Sequence, residues 1–432
     1  MPISDPYLVP QGKITSKFVA YVPGSKSLTN RAVIAAALCV EKVLLKRPLL
    51  SEDTEVASVA LKQLGVKFTE KGEDWEIDAS EFGLNLQNKD LNLFLANAGT
   101  AVRFLSSVLA AKGISCRVHG SDRMHERPIE ILLKGLKDLG ATIDSEKENG
   151  CPPLLIGNST LKGGETELSG QVSSQFFSGL MMACPLASGK STVKVSDEWL
   201  SKPYIEMTSQ MLKSFGVDAK VNESTITIEG QQAYKSPGEY QIEPDASAAT
   251  YPLALGVLQK APVCLKGLGK GSLQGDVKFV DVLKEMGCEV TVDTTEINVT
   301  PPDTLKAISL DLNHIPDAAM TVVVLCALAN GKSHLSGLRN LAFKECDRLK
   351  ALETELQKVG AKVTAYEDGF HIEGVPMESL HGAKIETYKD HRMAMCLGIL
   401  GTVVPGIEIL DPGCVNKTFP EFWDSLKEWL AN

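Results

Sequence analysis

The stretch L-K-S-F-G-V-D-A-K-V-N-E-S-T-I-T-I, Leu212 to Ile228, carries the end of a helix, a strand, a turn and a second strand. Gly216 follows the last apolar position of a helical pattern, where glycine commonly stops a helix. Val217 to Val221 and Thr225 to Ile228 alternate, with the polar Asn222-Glu223-Ser224 as the turn between them. The same signature returns at Leu61 (LKQLGVKF), Leu136 (LKDLGATI), Leu283 (LKEMGCEV) and Leu356 (LQKVGAKV), and a truncated copy, LKEWLAN, begins at Leu426. A second marker, a short polar signal opening an apolar helix, keeps the same beat. It occurs at Ser25-Lys26-Ser27, Gly99-Thr100, Ser173-Ser174-Gln175, Asp245, Pro316-Asp317 and Asp390-His391-Arg392. Two markers in one register predict six α/β units of roughly 72 residues.

The last copy lacks the strand pair that should follow its helix, and Lys13 to Val22 (K-I-T-S-K-F-V-A-Y-V) is strand-like with no helix of its own. The economical expectation is that this segment completes the sixth unit. The chain then forms two lobes of three repeats: residues 23–243, and residues 1–22 plus 244–432. Ligands favour clefts between domains, and the chain crosses between the lobes twice.

Composition narrows the function. The 432 residues are 44% apolar and 23% charged, as in a globular protein, and the net charge of −10 argues against a nucleic-acid surface. Ten cysteines without a C-x-x-C suggest reduced, buried thiols and no zinc module. The N-terminus has neither a basic nor an apolar leader region, and no run approaches a membrane span, so a cytoplasmic protein is expected, as a monomer.

Pro23-Gly24-Ser25-Lys26-Ser27 half resembles a phosphate loop, but the first glycine of the nucleotide-binding P-loop is missing. Ser, Asp and Asn at helix starts ordinarily cap unpaired backbone N–H groups. Cations there are poorly placed, because the helix dipole is already positive at that end. Lys26, Arg31 and Arg392 therefore make sense against an anion held jointly by side chains and helix termini. Ser27 and Arg31, four residues apart, share a helix face. Further cations lie in Gly120–Pro128 (Arg123, Arg127), in Lys344-Glu345-Cys346-Asp347-Arg348 and at Lys417.

Ten motifs in order, from P-G-S-K-S-x-x-N-R through N-A-G-T-A-x-R, M-H-E-R-P-I, S-S-Q-F, S-K-P-Y-I, E-x-D-A-S, I-P-D-A-A-M, K-E-x-D-R-L and D-H-R-M-A-M to K-T-F-P, span the chain. Together they resemble the 5-enolpyruvylshikimate-3-phosphate synthase family of enolpyruvyl transferases. The resemblance implies an α/β (α+β) fold of two lobes, each of three βαβαββ units, in an inside-out barrel. It implies transfer of the enolpyruvyl group of phosphoenolpyruvate to the 5-hydroxyl of shikimate 3-phosphate, with no cofactor and no metal. Lys26, Ser27, Arg31, Ser173, Ser174, Gln175, Ser201 and Tyr204 would then hold shikimate 3-phosphate, joined by Asp317, Asn340 and Lys344. Lys26, Asn97, Gly99, Arg127, Gln175, Arg348, Arg392 and Lys417 would hold phosphoenolpyruvate. Asp317 would be the base at the hydroxyl and Glu345 the acid–base group at the methylene, with Lys26 between the two substrates. Phe104 stands where the best-known relatives carry proline. With Gly99 unsubstituted, sensitivity to glyphosate is expected. The sister transferase acting on UDP-N-acetylglucosamine is the nearest alternative, but it has Lys-Asn where Lys26-Ser27 stand and typically a loop cysteine as its acid.

Overall fold

The computed structural model describes residues 4–84, 86 and 90–432. The chain forms two compact units, one of Gly24–Ile242 and one that joins the segment ending at Pro23 to Glu243–Asn432.

In the first unit, the second repeat shows the complete βαβαββ pattern. Strand Asn92–Phe94 leads through helix Gly99–Lys112 to strand Cys116–His119, then helix Glu130–Asp138 and strands Ile143–Ser145 and Leu154–Ile156. The first two strands are parallel, with Asn92 opposite Arg117, and the remaining pairs are antiparallel. A parallel pair needs a long crossover, and the helix supplies it. The third repeat has the same order from Gly164 to Ile228. The first repeat has no opening strand of its own. Glu239–Gln241, from the far end of the unit, fills that slot parallel to Val43–Lys46.

The second unit is built likewise. Its contiguous repeat runs from Ser309 to Glu373, with parallel strands Ser309–Asp311 and Lys332–Ser336. Phe18–Ala20 does not complete the sixth repeat, as the sequence pattern suggests; it lies parallel to Val263–Lys266 in the fourth, Val19 opposite Cys264. The strand that should open the fourth repeat, Glu239–Gln241, is already spent in the first unit, and Phe18–Ala20 takes the edge it leaves vacant. The sixth repeat is instead edged by Tyr7–Leu8, antiparallel to Glu408–Ile409.

Burial separates two kinds of helix. Lys26–Ala36, Gly99–Lys112 and Ser174–Ala183 in the first unit are buried almost all round. So are Ala246–Gln259, Ala319–Cys326 and His391–Gly401 in the second. Small residues, such as Ala32, Ala35 and Ala36, let these helices be covered on every side, as expected of apolar helices without a polar face. The intervening helices, such as Glu130–Asp138 and Lys202–Ser214, bury only a stripe. Gly65, where five repeats place their helix-stopping glycine, has φ +97°, and an added Cβ would fall 2.4 Å from the Glu81 carbonyl oxygen. That backbone is open to glycine at little cost. Among the described residues, no helix is long and apolar enough to cross a membrane.

Candidate active site

The buried helices present the polar groups singled out in the sequence. Ser25 caps Lys26–Ala36 by accepting from the Leu28 N–H. Lys26 follows it, its ammonium 3.7 Å from the Asp53 carboxylate. Arg31 turns inward and is 1% exposed. Its Nη1 donates to the Ser27 carbonyl at 3.0 Å, and its Nε donates to Thr208 Oγ1 at 2.8 Å. Burial pushes the guanidinium down to about 9, so it remains charged at neutral pH.

Gly99 begins its helix without a side-chain cap, since Ala98 occupies the cap position. Arg103 Nη1 donates to the Gly99 carbonyl at 2.9 Å, and Arg127 Nη1 donates to the carbonyl and Oδ1 of Asn97 at 3.2 and 3.1 Å. A Cβ on Gly99 would lie 2.7 Å from Arg103 Nη1 and 2.7 Å from Arg127 Nη2. The glycine thus leaves room for two guanidinium groups beside an uncapped helix start. Ser173 caps Ser174–Ala183, and Gln175 Nε2 donates to Thr100 Oγ1 at 3.3 Å, tying that start to the Gly99 helix. Ser201 is buried with φ +60°, a left-handed conformation uncommon outside glycine, and its carbonyl accepts from the Tyr204 N–H.

The second unit gathers a denser cluster. Arg348, 1% exposed, reaches three carboxylates: Asp390 at 2.8 and 3.2 Å, Glu345 at 2.9 Å and Asp317 at 3.4 Å. Arg392 Nη2 donates to Asp317 at 3.0 Å, Lys344 stands 3.7 Å from Asp317, and Lys417 stands 3.2 Å from Glu345. Burial alone would lower Arg348, but Asp390, Glu345 and Asp317 lift it above the ordinary arginine value. Burial likewise works against the Asp390 carboxylate, and Arg348 overcomes it and holds the carboxyl below its usual value. Lys344 is pushed downward, chiefly by burial. Four cations therefore face three carboxylates in these pairs, a net positive surplus in a desolvated setting. Asn340 lies buried beside this cluster in sequence, in the short turn Arg339–Phe343.

Asp317 departs from the sequence reading in one respect. It sits in a turn one residue before the Ala318 cap, and Ala319–Cys326 has no side-chain cap. Its carboxylate turns to the three cations instead. Among the described residues, no group of three or more His, Cys, Asp or Glu is arranged to hold a metal.

The EPSP synthase (3-phosphoshikimate 1-carboxyvinyltransferase) family model matches residues 10–426. The chain belongs to the EPSP synthase family. A curated relative from Shewanella sediminis, a 3-phosphoshikimate 1-carboxyvinyltransferase, is 42% identical over 406 residues, covering 93% of this chain and 94% of the relative. One of the same description from Haemophilus influenzae is 41% identical over 413 residues, covering 94% and 95%. A solved EPSP synthase from Acinetobacter baumannii matches with a TM-score of 0.80 at 26% identity, covering 98% of this chain and 97% of that one. Membership carries the activity: the chain is a transferase of carboxyvinyl groups from phosphoenolpyruvate to shikimate 3-phosphate, in the biosynthesis of aromatic amino acids.

Within this EPSP synthase framework, some residues around the candidate groups had no sequence signal as participants. Asp390 is visible as a helix opener, and it does cap His391–Gly401, but its salt bridge to Arg348 spans 42 residues. Asp53 beside Lys26, and Thr208 beside Arg31, are likewise distant in the chain, the second pair by 177 residues. His391 is buried and, among the described residues, has no hydrogen-bond partner on either ring nitrogen; burial pushes its pKa well below the ordinary histidine value.

Proposed function

We propose that the residues of the two units act on the same pair of substrates. Lys26, Ser27, Arg31, Ser173, Ser174, Gln175, Ser201 and Tyr204, with Asp317, Asn340 and Lys344, hold shikimate 3-phosphate. Asn97, Gly99, Arg127, Arg348, Arg392 and Lys417, together with Lys26 and Gln175, hold phosphoenolpyruvate. The observation that carries this reading is the pair Asp317 and Glu345 set among Lys344, Arg348, Arg392 and Lys417. A purely anion-binding surface gains nothing from embedded carboxylates, whereas proton transfer beside anions requires them.

The reaction joins the 5-hydroxyl oxygen to C2 of phosphoenolpyruvate while C3 gains a proton. Asp317 takes the hydroxyl proton, and Glu345 supplies the proton to C3. In the second step C3 returns a proton to Glu345, the C2–O bond to phosphate breaks, and the proton held by Asp317 leaves with the phosphate. The cations offset the charge of two phosphates and two carboxylates throughout. Arg348 connects the two acid–base groups directly, so an anion drawing on it changes both together.

We place the reaction in the cytoplasm, with one chain supplying every group; the ten free cysteines support a reducing compartment. Glyphosate is expected to compete in the phosphoenolpyruvate position. The test is phosphate release: phosphoenolpyruvate with shikimate 3-phosphate should turn over, and phosphoenolpyruvate with UDP-N-acetylglucosamine should not. The reverse pattern would overturn the assignment.

A further inference from the structure

Arg31 and Arg348 are equally buried, each 1% exposed, yet they are held in opposite ways. Arg348 meets three carboxylates. Among the described residues, Arg31 hydrogen-bonds only neutral groups: Thr208 Oγ1 at 2.8 Å, Ser178 Oγ at 3.2 Å, and the carbonyls of Ser27 and Tyr204 at 3.0 and 3.4 Å. The ring of Phe104 lies against the guanidinium, 4.8 Å from Cζ. Four helices contribute to this cradle, since Ser178, Thr208 and Phe104 come from three different ones.

The hydroxyls have a single consistent set of directions. Thr208 donates its proton to the Tyr204 carbonyl at 2.7 Å. In the 2.8 Å contact between the two hydroxyls, Ser178 must therefore be the donor. Both oxygens then turn lone pairs to Arg31, one to Nε and one to Nη2. The cradle fixes the planar guanidinium without neutralising it, and a desolvated cation left uncompensated attracts an anion strongly.

We propose that Thr208 and Ser178 are positioning residues that orient Arg31 toward an anionic group of shikimate 3-phosphate, with Phe104 as the supporting face. The proposal rests on the reading that Arg31 contacts that substrate. A carboxylate in place of Thr208 would hold the arginine as firmly but cancel the charge it offers. Neither hydroxyl touches substrate in this account; each acts through Arg31.

Steady-state kinetics of the full chain tests this with Thr208→Val, Thr208→Ser, Ser178→Ala and Arg31→Lys, alongside thermal melts. Losing one hydrogen bond to the guanidinium should raise KM for shikimate 3-phosphate about tenfold in Thr208→Val, and by several-fold in Ser178→Ala. KM for phosphoenolpyruvate should stay within about twofold of its original value, and Thr208→Ser should restore normal behaviour. A lowered melting temperature with an unchanged KM for shikimate 3-phosphate would reduce the hydroxyls to a structural role and overturn the proposal. An equal rise in both KM values would overturn it too. If Arg31→Lys itself left KM for shikimate 3-phosphate unchanged, the underlying placement of Arg31 would fall instead.

Discussion

Gly99→Ala isolates the space in front of the second buried helix. The new Cβ would stand 2.7 Å from Arg103 Nη1, 2.7 Å from Arg127 Nη2 and 2.9 Å from Arg127 Cζ. Ordinary contact is about 3.5 Å, so each guanidinium must withdraw by roughly 0.8 Å. The bonds from Arg127 to Asn97 are already 3.1 and 3.2 Å, and such a shift carries them past hydrogen-bonding range. Both obstacles are the ends of flexible side chains, and alanine suits a helix better than glycine, so folding should be little affected. The melting temperature is expected within about 3 °C of the original. Binding of phosphoenolpyruvate should suffer instead, because a misplaced Arg127 forfeits a charge-assisted bond worth about 1.5–3 kcal/mol. That corresponds to a roughly 10- to 150-fold rise in KM for phosphoenolpyruvate. Phosphate-release assays varying each substrate in turn would measure it, with KM for shikimate 3-phosphate the internal control. Glyphosate inhibition should weaken in parallel. An unchanged KM for phosphoenolpyruvate would refute the argument that this glycine makes room for the guanidinium.

Asp390→Asn keeps a good helix cap but strips Arg348 of its closest carboxylate, and breaking a buried pair costs about 3–5 kcal/mol. The folded Asp390 carboxyl lies below its usual value, so its contribution is complete above about pH 4 and is lost as pH falls further. The variant should therefore unfold earlier in urea at pH 7, with the difference shrinking in strong acid; equal midpoints at pH 7 would contradict this. His391 is held neutral by burial, so the unfolded chain takes up a proton below about pH 6.5 that the folded chain does not. Stability should fall with acidification there, His391 contributing up to about 1.4 kcal/mol per pH unit, and His391→Leu should lessen that slope, leaving the smaller share of His119, whose pKa burial also lowers. Asp317→Ala should cut kcat by about 10²- to 10⁴-fold if Asp317 is the base, and near-normal turnover would remove it from that role.

The repeat, the number of units and the cationic helix starts could all be read from the residues in order. Each depends on signals a few positions apart: Gly216 after its helix, Ser25 before Leu28, the alternation from Val217 to Ile228. Local backbone preferences and periodic burial act over just such distances. The motifs also placed Asp317, Glu345, Arg348 and Arg392 on one list of candidates. What local pattern could not decide was which sheet edge a lone strand would take. Lys13 to Val22 reads as a strand in any slot, and only the competition for open edges puts Phe18–Ala20 beside Val263–Lys266 and leaves Tyr7–Leu8 to Glu408–Ile409. The same limit hides how charge is balanced. Nothing near Arg348 in the chain announces Asp390, and nothing near Arg31 announces Thr208, 177 residues away. Desolvation and hydrogen bonding depend on what packs around a group in three dimensions, so one arginine ends against three carboxylates and the other against hydroxyls and a ring.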